Sequence, residues 1–269
     1  MNKFKVGLQL YSVRDKMKED MDATLEEVKK AGYDCVEFAG FFGKTAKEVK
    51  ALLEKHSLSC YSVHYNVMEI LEEPEKWVEY FKELGIKYYA IPHYSIIEFV
   101  NNWEKTVETF KKLAKLLADN GIQLLYHNHD FEFTKVDGEC IIDKLYKEVS
   151  GMNPQFDLCW VEYAGESACE YLKKYSEKID VVHFKDFDCK KLGNGPVYEL
   201  LGGKEGQLRE DNGFKFRQLG KGRQNWDEII DATQQVGAEI IIVEQDDWYD
   251  DDSMECAKIS RDFLRSKGI

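Results

Sequence analysis

Several things are missing from this 269-residue sequence, and each absence narrows its class. No window approaches the roughly eighteen uncharged apolar residues that a membrane-spanning helix needs. The opening stretch MNKFKVGLQLYSVRD lacks the apolar core and small-residue cleavage site of a signal peptide. The expectation is a cytoplasmic protein with no membrane partner. Seven cysteines (Cys35, Cys60, Cys140, Cys159, Cys169, Cys189 and Cys256) form no Cys-x-x-Cys pair and do not alternate with histidine at zinc-finger spacing. Their odd number and apolar surroundings, as in YDCVEF, point to buried thiols in a reducing compartment. Basic runs are also absent. With a formal charge of -13 the surface repels a phosphate backbone, so no nucleic-acid partner is expected. The densest charged block, EQDDWYDDDSME at 244–255, is acidic and reads as a solvated loop and helix start. No Pro/Gly/Ser-rich linker divides the chain, which reads as one domain over 1–269.

What is present is a regular alternation. Eight runs rich in β-branched and aromatic residues recur: 4–13, 33–40, 59–67, 87–94, 123–129, 155–160, 180–186 and 240–246. Amphipathic segments such as DATLEEVKKAG, TAKEVKALLEKHS and NWDEIIDATQQVG follow them, and SMECAKISRDFLRSKGI supplies a helix after the last run. Apolar strands separated by helices imply a parallel sheet covered on its outside. Eight such repeats match a (β/α)8 TIM barrel. An open doubly wound sheet is the alternative, but LQLYSVRDK has no Gly-rich phosphate turn after the first strand. One long irregular piece, 187–224, follows the seventh run. In a barrel it lies at the C-terminal mouth and is expected to act as a lid.

Polar side chains gather where the apolar runs end. The stretch LLYHNHDFEF, 124–133, delivers His127, His129, Asp130 and Glu132 within six residues. Asp157 belongs to the sixth run, His183 and Lys185 to the seventh, Glu244 to the eighth, and the second, third and fourth offer Glu37, His64 and His93. Alternation by two puts His127 with His129, and His183 with Lys185, on one side of their strands. Carboxylates and imidazoles arriving from several strand ends are what a divalent cation requires, and the mixed set suits Mn, Co, Fe or Zn better than Ca, with Mg also open. A lone histidine at a strand end is more often a hydrogen-bonded structural residue, which is the plain alternative for His64 and His93. Asp157 and Glu244 are costlier to bury unless paired or metal-bound. His129 and Lys185 could serve as acid–base groups, support a ligand or bind phosphate. Trp160, Trp226 and Trp248 are candidates to cover a sugar face or to fill the core. Arg217 and Lys221, near the end of the long loop, are candidates to contact an anionic substrate group.

In LQLYSVRD, YHNHDFEF, FDLCWVEYAG, VHFKD, LGKGRQNWDEII and IIVEQD, taken in order over essentially the whole chain, the sequence resembles the xylose isomerase-like TIM barrels. These are the sugar phosphate isomerases/epimerases, related to endonuclease IV. The resemblance implies a divalent metal, often manganese, held by a carboxylate of strand 5, an Asp of strand 6, a His of strand 7 and a Glu of strand 8. The last three fall on Asp157, His183 and Glu244. Strand 5 departs from the pattern: His127 stands where many relatives carry Glu, so the fourth ligand is His127 or Glu132. The YHNHDFEF branch is similar to inosose dehydratases and to lyases and hydratases of 3-keto-glycosides.

The implied activity is proton abstraction next to a sugar carbonyl through an enediolate. Its outcome is isomerisation or epimerisation, or alternatively elimination from a keto-sugar or 3-keto-glycoside. His129, Lys185 and Glu244 are the acid–base candidates, and Glu37, His64, His93, Trp160 and Arg217 the substrate contacts. A metal-free sugar-binding barrel and an endonuclease IV-like DNA repair enzyme are the rival readings. Pairing as a homo-oligomer through outer helices is expected by analogy alone.

Overall fold

The computed structural model of the chain describes residues 4–136, 138–193 and 207–269. Eight strands, β1 (Lys5–Gln9), β2 (Cys35–Ala39), β3 (Ser59–His64), β4 (Tyr88–Ile91), β5 (Gln123–His127), β6 (Met152–Gln155), β7 (Val181–Phe184) and β8 (Ile240–Val243), form one parallel sheet. Strands adjacent in sequence pair with each other from β1 to β6, while β8 lies between β1 and β7. Between β6 and β7 the circle is completed by a single bridge, Asp157 with His183, where the His183 N–H donates to the Phe156 carbonyl at 2.9 Å. A helix follows each strand, from Met21–Ala31 after β1 to Ser253–Ser266 after β8. The expected TIM barrel is therefore the fold observed.

The helices form for legible reasons. Trp103–Ala118 carries Val107, Phe110, Ala114 and Leu117 on one buried stripe at helical spacing. Asp20 accepts a hydrogen bond from the Ala23 N–H to start Met21–Ala31, and Thr45 with Glu48 makes a capping box on Ala46–Lys55. No helix among the described residues is long and apolar enough to cross a membrane. All seven cysteines are free thiols; five are buried as expected, while Cys169 and Cys189 are half-buried.

Period two in the strands separates two cores. Leu124 and Tyr126 of β5, Val182 and Phe184 of β7, and Ile241 and Val243 of β8 pack outward against the helices. The alternate positions face the barrel axis, where Cys35, Ala90, Leu125, Val181, Ile240 and Ile242 make a small apolar plug. Gly7 belongs to this interior: a Cβ there would lie 2.6 Å from Ile242 Cδ1 and 2.8 Å from Cys35 Sγ. One step further along each strand, toward the C-terminal mouth, the interior turns polar. Gln9, Glu37, His64, His127, Gln155, His183 and Glu244 are all buried there.

Two expectations need correction. The sixth strand is Met152–Gln155 rather than 155–160. The chain leaves the sheet because Asp157 caps the helix Leu158–Tyr163, accepting from the Cys159 N–H at 3.0 Å and the Trp160 N–H at 3.4 Å. The long segment after β7 is also less irregular than its sequence. Asp186–Asp188 pairs antiparallel with Lys215–Arg217, and Gln207–Asp211 is a short helix. The expected lid function falls mainly on 194–206, which lie outside the described residues.

The return of this segment is organised by Asp186. Its buried carboxylate accepts from the N–H groups of Gly220, Gly222 and Gln224 and from Trp226 Nε1 at 2.8 to 3.3 Å. Gly222 is required by this close approach, since a Cβ would lie 2.2 Å from Asp186 Oδ1.

Candidate metal centre and active site

The polar layer of the barrel is a connected network with Glu37 at its base. This carboxylate accepts from Gln9 Nε2 at 2.8 Å, Gln155 Nε2 at 2.7 Å and His183 Nε2 at 2.8 Å, and His64 Nε2 lies 3.0 Å away. Burial disfavours the charge, but His64 and His183 hold Glu37 well below the usual carboxylate range. It has no solvent exposure and lies behind the cavity. It does not stand where a substrate contact was expected, being packed against His64 and His183 instead. His183 is gripped on both sides, with Nε2 on Glu37 and Nδ1 on Glu244 Oε2 at 2.9 Å. Burial opposes the imidazolium, yet Glu37 and Glu244 push His183 up to about 10.

Above this base, His127, Asp157, His183 and Glu244 each offer a donor atom, and the four atoms lie within 4.8 Å of one another. His127 Nε2 is 3.8 Å from Asp157 Oδ2 and 3.9 Å from Glu244 Oε2. Buried polar atoms without a hydrogen-bond partner are costly. His127 Nδ1 is one of them. Two imidazoles and two carboxylates, all buried and with donor atoms this close together, fit a divalent transition-metal ion. Ligation would require His183 to give up a proton, since both its ring nitrogens are engaged.

Lys185 lies in the same place. Its ammonium is 2.8 Å from Asp157 Oδ2, 3.1 Å from Glu244 Oε2 and 3.0 Å from Asp246 Oδ2, with only 1% of its surface exposed. Burial disfavours the ammonium, but Asp157, Asp246 and Glu244 hold it well above its ordinary value. Glu244 is held below the usual carboxylate range, despite burial, by Lys185 and His183. Burial raises Asp157, and it carries Asp246 up to about 7 against the pull of Lys185. His127 and His129 are both lowered by burial, and neighbouring cationic side chains add to the effect. They are neutral imidazoles at physiological pH.

The structure brings together most of the residues singled out from the sequence, but not all. Glu132 stands apart from the four-residue group. It sits in the turn Phe131–Phe133, fully buried, accepting from the Tyr126 hydroxyl and the His129 N–H, each at 2.8 Å, and burial pushes it up to about 8. Tyr126 points outward from β5, so its partner Glu132 is drawn to the outer side, and between the two candidates for the strand-5 ligand the geometry favours His127.

His64, His93, His129, Lys185 and Glu244 line a cavity of about 1230 Å³ at the mouth. Trp160 does not line it; the indole is buried behind His129, stacked at 5.6 Å, and Lys185 lies 5.2 Å from its ring. Arg217 is also off the cavity, half-buried on the hairpin 4.0 Å from Asp188 Oδ2. Two site residues were missed in the sequence, Gln155 and Asp246. Each stands two residues from one that was recognised, Asp157 and Glu244, so the period-two rule already applied to His183 and Lys185 would have found them.

Comparison with known proteins agrees with this architecture. A segment of 82 residues is 35% identical to inosose dehydratase of Clostridium perfringens, covering 30% of this chain but only 27% of that protein. The chain thus matches about a quarter of the length of its curated relatives. A sugar phosphate isomerase/epimerase from Parabacteroides distasonis superposes with a TM-score of 0.77 at 19% identity, over 99% of this chain and 95% of that one. The 3-keto-D-glucoside 4-epimerase of E. coli superposes with a TM-score of 0.70 at 14% identity, over 98% of each chain. At these identities the likeness establishes the fold. The family described as xylose isomerase-like TIM barrel matches residues 25–267, most of the chain, and the protein belongs to that family.

Proposed function

We propose that this protein is a divalent-metal-dependent sugar isomerase or epimerase that removes a proton next to a sugar carbonyl. The observation that carries the reading is the buried group His127, Asp157, His183 and Glu244, two imidazoles and two carboxylates whose donor atoms lie within 4.8 Å of one another. When bound there, a divalent cation, manganese by family resemblance, supplies electrostatic stabilisation of negative charge developing on the carbonyl oxygen.

The chain's own residues supply the proton transfers. His129 and His127, kept unprotonated by burial, are each available to accept the α-proton, and both line the cavity. Glu244, a carboxylate throughout the neutral range, is the third candidate base. Lys185, held as an ammonium among three carboxylates, is placed to donate a proton to oxygen. Asp157 and Asp246 keep it charged. Return of a proton to the same carbon gives epimerisation, and delivery to the neighbouring carbon gives isomerisation.

A second reading, elimination from a keto-sugar, is favoured by one specific feature. The acid–base groups are unlike each other, imidazoles from the β5 side and an ammonium from the β7 side, and the four-residue group carries His127 rather than a second glutamate beside Glu244. An imidazole base with an ammonium acid suits loss of a β-hydroxyl, and the short segment shared with inosose dehydratase points the same way.

The test is exchange of the α-hydrogen in D2O, followed by NMR on a panel of keto-hexoses, inososes and 3-keto-glucosides with manganese-loaded protein. Exchange with recovery of a stereoisomer supports the first reading. Exchange with loss of water supports the second. No exchange on any member of the panel would sink both.

A further inference from the structure

The Lys185 ammonium and the candidate ion call on the same two oxygens. Lys185 follows β7 directly and Glu244 follows β8 directly, and the register Phe184 with Val243 brings the two level at the mouth. Nζ lies 2.8 Å from Asp157 Oδ2 and 3.1 Å from Glu244 Oε2, and both carboxylates belong to the four-residue group. A transition-metal ion stands about 2.0–2.2 Å from a carboxylate oxygen. Held by the same oxygens, ion and ammonium would lie side by side and repel each other.

A third carboxylate is placed to take the ammonium over. Lys185 Nζ donates to Asp246 Oδ2 at 3.0 Å. Asp246 stands outside the four-residue group, and its side chain is 22% exposed where those of Asp157 and Glu244 are 0% and 6%. It lines the cavity together with Lys185, whereas Asp157 does not. The charges then match: two carboxylates balance a divalent ion, and the third balances the ammonium. Without Asp246, ion and lysine would share two negative charges in a place where only 1% of the lysine is exposed, and a buried cation short of a partner is costly. The rings of Trp160 and Phe216, centred 5.2 and 5.7 Å from Nζ, favour a charged lysine whichever carboxylate it faces.

We propose that Asp246 is a positioning residue for Lys185. Loading of the ion on Asp157 and Glu244 hands the ammonium to Asp246, which turns Lys185 from a counter-charge of the metal ligands into a donor at the cavity wall. This rests on the metal reading above and adds an order of events to it, ion before substrate.

Two measurements without turnover test the exchange: manganese affinity by competition with a chelating dye, and acetylation of lysines read by mass spectrometry. In the wild-type protein manganese should raise labelling of Lys185 severalfold and leave that of the exposed Lys112 level. This arm needs no variant to fold. Lys185→Met should bind manganese about tenfold or more tighter than the wild type, and Asp246→Asn about tenfold more weakly. Because Asp246 acts through the lysine, its effect should vanish in the double variant, whereas a plain pull of Asp246 on the ion would survive there. Unchanged labelling of Lys185, no gain in Lys185→Met, or a loss in Asp246→Asn that persists in the double variant would overturn the inference and leave the proposed function standing. No manganese binding by the wild type would overturn both.

Discussion

The Lys185 ammonium lies 2.8 Å from Asp157 Oδ2, and neither side chain has more than 1% of its surface exposed. Glu244 and Asp246 share the same cation, at 3.1 and 3.0 Å. Removing the cation would leave two buried carboxylates, Asp157 and Glu244, and the partly exposed Asp246 without it. Lys185→Met is expected to destabilise the metal-free protein by about 3–5 kcal/mol. Adding manganese should recover more of that stability in the variant than in the wild type. Urea unfolding with and without the metal measures both, and equal gains in the two proteins would mean that metal and ammonium do not answer to the same carboxylates.

Metal content should follow the geometry of the four-residue group. Elemental analysis of protein purified without a His-tag is expected to give about one transition-metal ion per chain for the wild type. The ion should be lost in Asp157→Asn and in His127→Ala and kept in Glu132→Gln. Retention in His127→Ala with loss in Glu132→Gln would reverse the assignment of the strand-5 ligand.

Glu37 is expected to act through His183. Glu37→Gln turns one acceptor oxygen into a donor amid donors from Gln9, Gln155, His64 and His183. Loss of such an orienting carboxylate typically lowers metal affinity by about 10–100-fold. A competition titration with a chelating dye reads that value directly, and unchanged affinity would leave Glu37 a purely structural anchor.

Glu132 gives a pH signature. Burial raises it to about 8 in the folded chain from an ordinary value of 4.5, so the folded state keeps a proton that the unfolded state has lost. Its contribution to stability is full below 4.5 and is lost as pH rises through 8. Glu132→Gln, neutral at every pH, should flatten this decline. Unfolding free energies at about pH 5, 7 and 9 compare the two slopes, and parallel curves would show that Glu132 is ionised in the folded protein.

The barrel was legible in the sequence because all eight strands lie in or beside β-branched, aromatic runs, and each is followed by an amphipathic helix. The sixth strand was misplaced because FDLCW looks extended, whereas Asp157 uses its carboxylate to start a helix. Its real predecessor, MNPQ, contains a proline that discourages a strand assignment. His183, Asp157 and Glu244 stood out because a charged or imidazole side chain directly after an apolar run must be paired. Glu132 misled for the opposite reason: proximity in sequence to His127 says nothing about which side of the strand it serves, and the outward Tyr126 decided that.

The one bridge that closes the barrel between β6 and β7 joins Asp157 to His183, the same two residues that lie within the candidate metal group. An ion held there is also a rivet across the weakest joint of the cylinder. Chemistry and mechanical closure then share a single fastener. With an ion there, a substitution at Asp157 or His183 would act on ligation and on the hoop together, and a descendant that abandoned the ion would have to find some other way to keep its staves together.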